Sequence, residues 1–244
     1  MQRIEYKYLV PVEKLEGLRN EISPYLNYDP HTASQPDKEY TVRSIYLDTP
    51  SLKSYYEKIA GLKIRNKFRI RGYNSVDENS YTFLEIKRKD AEYVSKDRAL
   101  LLFKNVNDFL LSSDIDESDF QNGQYKSAKN FLYYFNGYGL QPVVLVVYER
   151  EAFTCALGSN LRVTFDKNLR SSLVHSTDML FSEEKWKRSL VNFFVLEIKY
   201  YKVLPYWVPQ VINKYKLQRE AISKYTICVD EHRINKKFYP NISL

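Results

Sequence analysis

The chain has 244 residues, 44% of them hydrophobic and 27% charged, with a formal net charge of +7 and an isoelectric point near 9.1. That balance supports a folded core without disulfide staples and excludes a disordered or collagen-like chain. There is no apolar run long enough to span a bilayer, and Met1-Gln2-Arg3-Ile4-Glu5-Tyr6-Lys7-Tyr8 is charged at once. Neither a transmembrane helix nor a signal core is therefore expected, and the expected compartment is the cytoplasm.

Cys155 and Cys228 lie in apolar strings and are expected to be buried thiols, and two cysteines do not build a disulfide framework. His31, His175 and His232 share no ligand spacing, which argues against a histidine metal site. The basic balance points to an anionic partner: nucleic acid, a phosphate compound or an anionic surface.

Strand-like runs with β-branched or aromatic enrichment and a period near two fall at 2–9, 40–48, 63–73, 80–89, 96–103, 143–155, 160–166 and 192–202, with 225–230 as a further candidate. Helical patterns lie between them. Residues 12–27 put Leu15, Leu18, Ile22 and Leu26 on one stripe, with Pro24 near its end. Ser51–Ala60, Asn105–Leu111, Gln124–Tyr138 and Pro205–Leu217 follow. The polar connectors at 29–39 and 112–123 are too short to separate domains. The expectation is one α+β domain over 1–244 with a large, mainly antiparallel sheet.

The charges in these strands alternate. Lys63, Arg65, Lys67, Arg69 and Arg71 interleave with Ile64, Asn66, Phe68 and Ile70. On a strand such residues share one face, about 6.6–7 Å apart. Taken alone, this is a solvated edge strand. The pattern recurs, however, with carboxylates included. Glu85 pairs in parity with Lys87, Glu197 with Lys199, Glu5 with Arg3 and Lys7, Tyr148 with Arg150, and Arg162 with Thr164 and Asp166. A barrel with its charged rows inside and helices on its apolar outside satisfies all of these strands. Its lumen would be rich in arginine and lysine, which bind phosphate oxygens. Its few carboxylates suit Mg²⁺ or Mn²⁺.

These residues resemble a family, the VTC domain, the polyphosphate polymerase branch of the triphosphate tunnel metalloenzymes in the CYTH-like superfamily. The matching segments are Glu5-Tyr6-Lys7-Tyr8, Arg43-Ser44-Ile45-Tyr46-Leu47-Asp48-Thr49, Lys67-Phe68-Arg69-Ile70-Arg71, Phe83-Leu84-Glu85-Ile86-Lys87, Tyr148-Glu149-Arg150, Leu161-Arg162-Val163-Thr164-Phe165-Asp166, Leu196-Glu197-Ile198-Lys199 and Ile222-Ser223-Lys224-Tyr225, in the family's order. The resemblance implies an antiparallel β-barrel, the triphosphate tunnel, with a charged lumen and helices packed outside. It implies a catalytic set of Lys7, Arg69, Arg71, Lys87, Arg150, Arg162 and Lys224. Triphosphate or polyphosphate binding falls to Lys96, Arg98, Tyr148, Ser223 and Lys199, with Lys96 and Arg98 placed only by their distance from Lys87. A divalent metal, Mn²⁺ or Mg²⁺, falls to Glu197, with Glu85 and Glu5 in similar positions. One departure matters: the superfamily opens with Glu-x-Glu-x-Lys, and here Arg3 holds the first position.

The activity implied is transfer of the γ-phosphate of a nucleoside triphosphate onto a growing inorganic polyphosphate chain. The alternatives on the same scaffold are triphosphate or tripolyphosphate hydrolysis, and polyphosphate binding without catalysis. No Gly-x-x-x-x-Gly-Lys loop is present. Nucleic acid is not expected as a partner, because the basic residues sit among carboxylates on alternating strands. A membrane-protein partner is not readable from the sequence.

Overall fold

The computed structural model describes residues 3–74, 80–91, 93–112, 116–117, 120, 123–156 and 158–235. Its elements in chain order are β1 (Ile4–Pro11), α1 (Leu15–Ile22), β2 (Leu26–Tyr28), α2 (Pro30–Ala33), β3 (Tyr40–Asp48), α3 (Lys53–Ile59), β4 (Ile64–Tyr73), β5 (Tyr81–Asp90) and β6 (Tyr93–Leu102). They continue with α4 (Val106–Leu111), α5 (Tyr125–Gly137), β7 (Gln141–Cys155), β8 (Arg162–Leu173), β9 (Lys187–Arg188), β10 (Phe193–Tyr200), α6 (Trp207–Lys214) and α7 (Lys224–Glu231).

The strands form one antiparallel sheet in the order β1-β10-β8-β7-β3-β4-β5-β6, with β2 beside β7 and β9 beside β8. The sheet curls until its two ends meet, where Arg3 forms a bridge to Val94. Alternation gives the curled sheet an apolar outside. Ile45, Leu47, Phe68, Ile70, Leu84, Ile86, Leu145 and Val147 form one outer core, covered by α4 and α5. Tyr8, Val10, Val163, Phe165, Leu196 and Ile198 form a second, covered by α1 and α6. The expected barrel with charged lumen and outer helices is the observed architecture. No helix of the described residues is long and apolar enough to cross a membrane.

The expected helix over 12–27 is shorter. It ends at Ile22 ahead of Pro24, and Leu26–Tyr28 joins the sheet against Phe153–Cys155. The expected strand at 225–230 is a helix. Ser223 caps it, its hydroxyl accepting from the Thr226 N–H, and Tyr225, Cys228 and Val229 follow the helical spacing that buries one face. This helix departs from the outer packing of α1, α4, α5 and α6. It lies on the concave side of the sheet, in a third core with Val42, Tyr46, Val144, Val146 and Tyr148. It closes part of the lumen and brings Lys224 inside.

Asp48 fixes that arrangement. It is fully buried and accepts from Thr49 N at 2.8 Å, Ser54 N at 2.9 Å, Tyr55 N at 3.0 Å and the Tyr225 hydroxyl at 2.6 Å. One carboxylate thus caps α3 and anchors α7. Asp48→Ala is expected to cost about 3 kcal/mol through stranded donors, a melting temperature lower by about 6–12 °C for a chain of this size. Calorimetry checks this, and a variant melting with the wild type would show that other contacts hold the α3–α7 junction.

Candidate functional site

Strand alternation sets the lumen. On β4, Arg65, Lys67, Arg69 and Arg71 face inward while Phe68 and Ile70 face the outer core. Register places Glu85 opposite Arg69 and Lys87 opposite Lys67 on β5, then Arg98 and Lys96 opposite those two on β6. From the other side, Lys7 lies opposite Glu197, Glu197 opposite Thr164, and Arg150 opposite Asp166.

Buried carboxylates organise the cations. Fully buried Glu85 takes Arg69 at 2.6 Å, Lys96 at 2.9 Å and Arg98 at 3.2 Å, with Arg71 at 3.9 Å. Asp166 accepts both Arg150 donors, at 2.6 and 2.7 Å, and Lys224 at 2.5 Å. Glu197 takes Lys199 at 2.5 Å, Lys224 at 3.1 Å, Lys7 at 3.5 Å and Arg150 at 3.7 Å. Glu5 takes Lys7 and Lys87, each at 3.1 Å. Lys224 therefore ties Asp166 to Glu197, and Lys7 ties Glu197 to Glu5. Burial would raise these carboxylates. The surrounding cations outweigh it and hold Glu85, Asp166, Glu197 and Glu5 below their ordinary values.

Hydroxyls complete the lining. Arg69 donates to the Tyr46 hydroxyl at 3.1 Å, and Arg71 to Ser44 Oγ at 3.1 Å and the Tyr148 hydroxyl at 3.5 Å. Lys224 and Arg150 sit 4.7 and 5.2 Å from the centroid of the Tyr148 ring. Lys67 Nζ donates to Ser223 Oγ at 2.6 Å. Burial, together with Lys7, Lys87, Arg65 and Lys58, holds the Lys67 ammonium well below the ordinary lysine range.

These groups enclose a central chamber of about 100 Å³. Through Lys7, Lys67, Lys87 and Ser223 it joins an outer chamber of about 420 Å³. Of the residues expected from the sequence, Lys7, Arg69, Arg71, Lys87, Tyr148, Arg150, Glu197, Lys199, Ser223 and Lys224 line the central chamber. Lys96 and Arg98 lie outside that lining and pair with Glu85, which also holds Arg69. Arg162 stands apart, paired with Asp29 at 2.7 Å and 3.4 Å from the Tyr40 hydroxyl. Ser44, Tyr46 and Lys67 are additions. Lys67 belongs to the same alternating row as Arg69 and Arg71, and Tyr46 and Ser44 share a parity on β3.

The three expected metal carboxylates do not converge. Glu5 and Glu197 share Lys7, while Glu85 sits among its own four cations. Among the described residues no group of three His, Cys, Asp or Glu side chains is arranged to hold a metal. The donor chemistry fits Mg²⁺ or Mn²⁺ only where phosphate oxygens complete the ligand set, since one or two carboxylates with substrate phosphates is a normal set for such ions. Glu197, with Glu5 beside it, is the fitting pair.

The profile of the VTC domain matches residues 2–231. The chain belongs to the VTC domain family. No curated protein matches the chain. Solved structures similar to this VTC domain include a candidate adenylate cyclase of Bacillus halodurans, at 12% identity over 91% of this chain and 96% of that one, with a TM-score of 0.49. A candidate adenylyl cyclase of Hippeastrum, described as having a dominant triphosphatase activity, matches at 12% identity over 94% of this chain and 96% of that one, with a TM-score of 0.48. The PH1819 protein of Pyrococcus horikoshii matches at 12% identity over 94% and 99%, with a TM-score of 0.46.

Lys199 gives the VTC tunnel a pH dependence. Burial, with Arg150 and Lys87 nearby, pulls it down to about 8 against the attraction of Glu197 and Glu5. An unfolded lysine titrates at about 10.4. Between those values the unfolded chain binds the proton that the folded chain has lost, so this group's contribution to stability rises with pH there. Anion affinity runs the other way, because the tunnel loses a positive charge. Tripolyphosphate affinity, referenced to a Lys199→Arg variant, is expected to fall roughly threefold from about pH 7 to about pH 9.5. Parallel curves in isothermal titration would remove Lys199 from the charge balance.

Proposed function

We propose that this VTC domain is a polyphosphate polymerase-like phosphotransferase. It moves the γ-phosphoryl group of a nucleoside triphosphate onto a growing inorganic polyphosphate chain inside the tunnel. The observation that carries this reading is the convergence of Lys7, Arg69, Arg71, Lys87, Arg150 and Lys224 on one enclosed chamber. Family membership supports a polyphosphate-related reaction. Nucleic acid lies outside the reading, because these cations face a lumen shared with carboxylates rather than an open stripe with stacking aromatics.

Phosphoryl transfer asks a protein for positioning and charge stabilisation rather than a covalent nucleophile. Arg69, Arg71 and Arg150 offer forked donors that match phosphate oxygens, and Lys7, Lys87 and Lys224 add point charges. Each is held in place by a carboxylate, so the cations are oriented before the anion arrives. Tyr46, Tyr148 and Ser223 supply hydroxyls to the same chamber. A terminal oxygen of the acceptor chain attacks the γ-phosphorus. The bond from that phosphorus to the β-bridging oxygen breaks, and the nucleoside diphosphate leaves with the electron pair. A divalent ion held by Glu197 and Glu5 with the phosphates would neutralise charge across their oxygens.

Incubation with ATP and Mn²⁺ or Mg²⁺, followed by sizing of the products on a gel, tests the reaction. Long phosphate chains with stoichiometric ADP are expected, whereas orthophosphate alone would favour the hydrolase and no turnover a binding module. Glu197→Gln is expected to reduce turnover at least about 100-fold while polyphosphate binding stays equal or tightens, because a negative charge leaves a basic tunnel. Metal-dependent activity retained in the folded variant would remove Glu197 from the mechanism.

A further inference from the structure

Lys67 and Ser223 line both chambers, and Lys67 Nζ lies 2.6 Å from Ser223 Oγ. The other lysines of the central chamber are each bound to a carboxylate: Lys7 and Lys87 to Glu5, Lys199 to Glu197, and Lys224 to Asp166. A carboxylate partner favours the charged lysine. Lys67 has instead a hydroxyl, and the Tyr225 ring with its centroid 5.8 Å away. Burial and the cations around it, Lys7, Lys87, Arg65 and Lys58, all favour its neutral amine.

Ser223 is held in one orientation. Its Oγ accepts from the Thr226 N–H at 3.3 Å, and its carbonyl accepts from the Thr226 hydroxyl at 3.1 Å. The Ile222 carbonyl before it accepts from Lys7 Nζ at 3.1 Å. Behind it, α7 is anchored through Tyr225 to Asp48. The Ser223 oxygen thus sits at the N-terminus of α7, where backbone N–H groups and the helix dipole favour negative charge. A serine hydroxyl is a weak nucleophile until an adjacent base takes its proton, and a separation of about 2.6–3.2 Å is the geometry of that activation. Lysine serves as such a base for serine in one class of nucleophilic enzymes. With Lys67 as the amine, the contact runs from the Ser223 O–H to Nζ.

We propose that Lys67 and Ser223 form a base–nucleophile pair and that Ser223 is a self-modification site, taking the γ-phosphoryl group of a bound nucleoside triphosphate. The inference rests on the proposed phosphotransferase reading and supplies a first acceptor when the tunnel holds no polyphosphate chain. Lys67 Nζ takes the hydroxyl proton, and Ser223 Oγ bonds to the γ-phosphorus. The bond from that phosphorus to the β-bridging oxygen breaks, and the nucleoside diphosphate leaves with the electron pair. The negative charge of the incoming triphosphate raises the proton affinity of Lys67, so the base strengthens as the substrate arrives. The phosphoserine then presents terminal phosphate oxygens where the two chambers join. Oxygens of that kind are the attacking atoms of the chain-transfer step.

The test is incubation of the full chain, stripped of phosphate compounds, with ATP and Mg²⁺ or Mn²⁺ and no added acceptor. Mass spectrometry of the proteolysed protein then reads the peptide that contains Ser223. In the wild type this peptide is expected to carry one or more phosphoryl groups, and in Ser223→Ala none. At saturating ATP, where losses of affinity drop out, Lys67→Arg keeps the charge but accepts no proton. It is expected to slow the modification at least about 100-fold. Lys67→Met, which removes the amine, is expected to do the same. Polyphosphate made by wild-type protein with an unmodified Ser223 would overturn the inference and leave the phosphotransferase reading standing. So would modification of Lys67→Arg at the wild-type rate, or modification confined to other residues. Wild-type protein that neither binds tripolyphosphate nor consumes ATP would overturn the phosphotransferase reading as well.

Discussion

Placing a dozen cations inside a curled sheet is unfavourable unless something offsets both their desolvation and their mutual repulsion. In this VTC domain the offset comes from Glu85, Asp166, Glu197 and Glu5, each holding two or more lysines or arginines. A buried charge without a partner costs several kcal/mol, and removal of one member of such a pair costs about 3–5 kcal/mol. The carboxylates are therefore structural before they are chemical. They fix where each guanidinium and ammonium group sits, and they leave the tunnel with a surplus of positive charge. Under the proposed function, an anionic phosphate ligand completes that neutralisation.

The rest of the fold follows from turning the sheet inside out. With the charged rows facing inward, the apolar rows face outward and need cover, which α1, α4, α5 and α6 provide over two separate cores. The concave face carries an apolar core where α7 rests on it. That packing is tied to Asp48, whose carboxylate joins the start of α3 to Tyr225. The same helix presents Lys224 to Asp166 and Glu197, so an interaction remote from the chamber positions one of its cations.

Much of this was legible in the sequence because strand alternation is a local signal. Glu85-Ile86-Lys87 and Glu197-Ile198-Lys199 state which side chains share a face, and the structure turns those faces inward. Where the signal was ambiguous, the reading failed. Tyr225–Val229 is apolar enough for a strand, and only the Ser223 cap and the spacing of Tyr225, Cys228 and Val229 mark a helix. The meeting of carboxylates was not local at all. Glu5, Glu85 and Glu197 sit on three strands, and register alone decides that Glu85 belongs with Arg69 while Glu5 and Glu197 share Lys7. Arg162 carries the right parity but meets Asp29, a residue from the loop before α2 that no strand pattern announces. Lys67 was visible in the alternating row, and what sets it apart, a half-buried lysine with a hydroxyl partner and no counterion, appears only in three dimensions.

Under the proposed function, the surplus positive charge of the lumen binds a linear phosphate anion. A crystal structure after soaking with tripolyphosphate tests it most directly. The anion is expected inside the barrel, in contact with Arg69, Arg71 and Arg150, with Lys67 and Ser223 at the end nearer the outer chamber. Tripolyphosphate bound only on the outer surface, with the lumen ion pairs undisturbed, would contradict it.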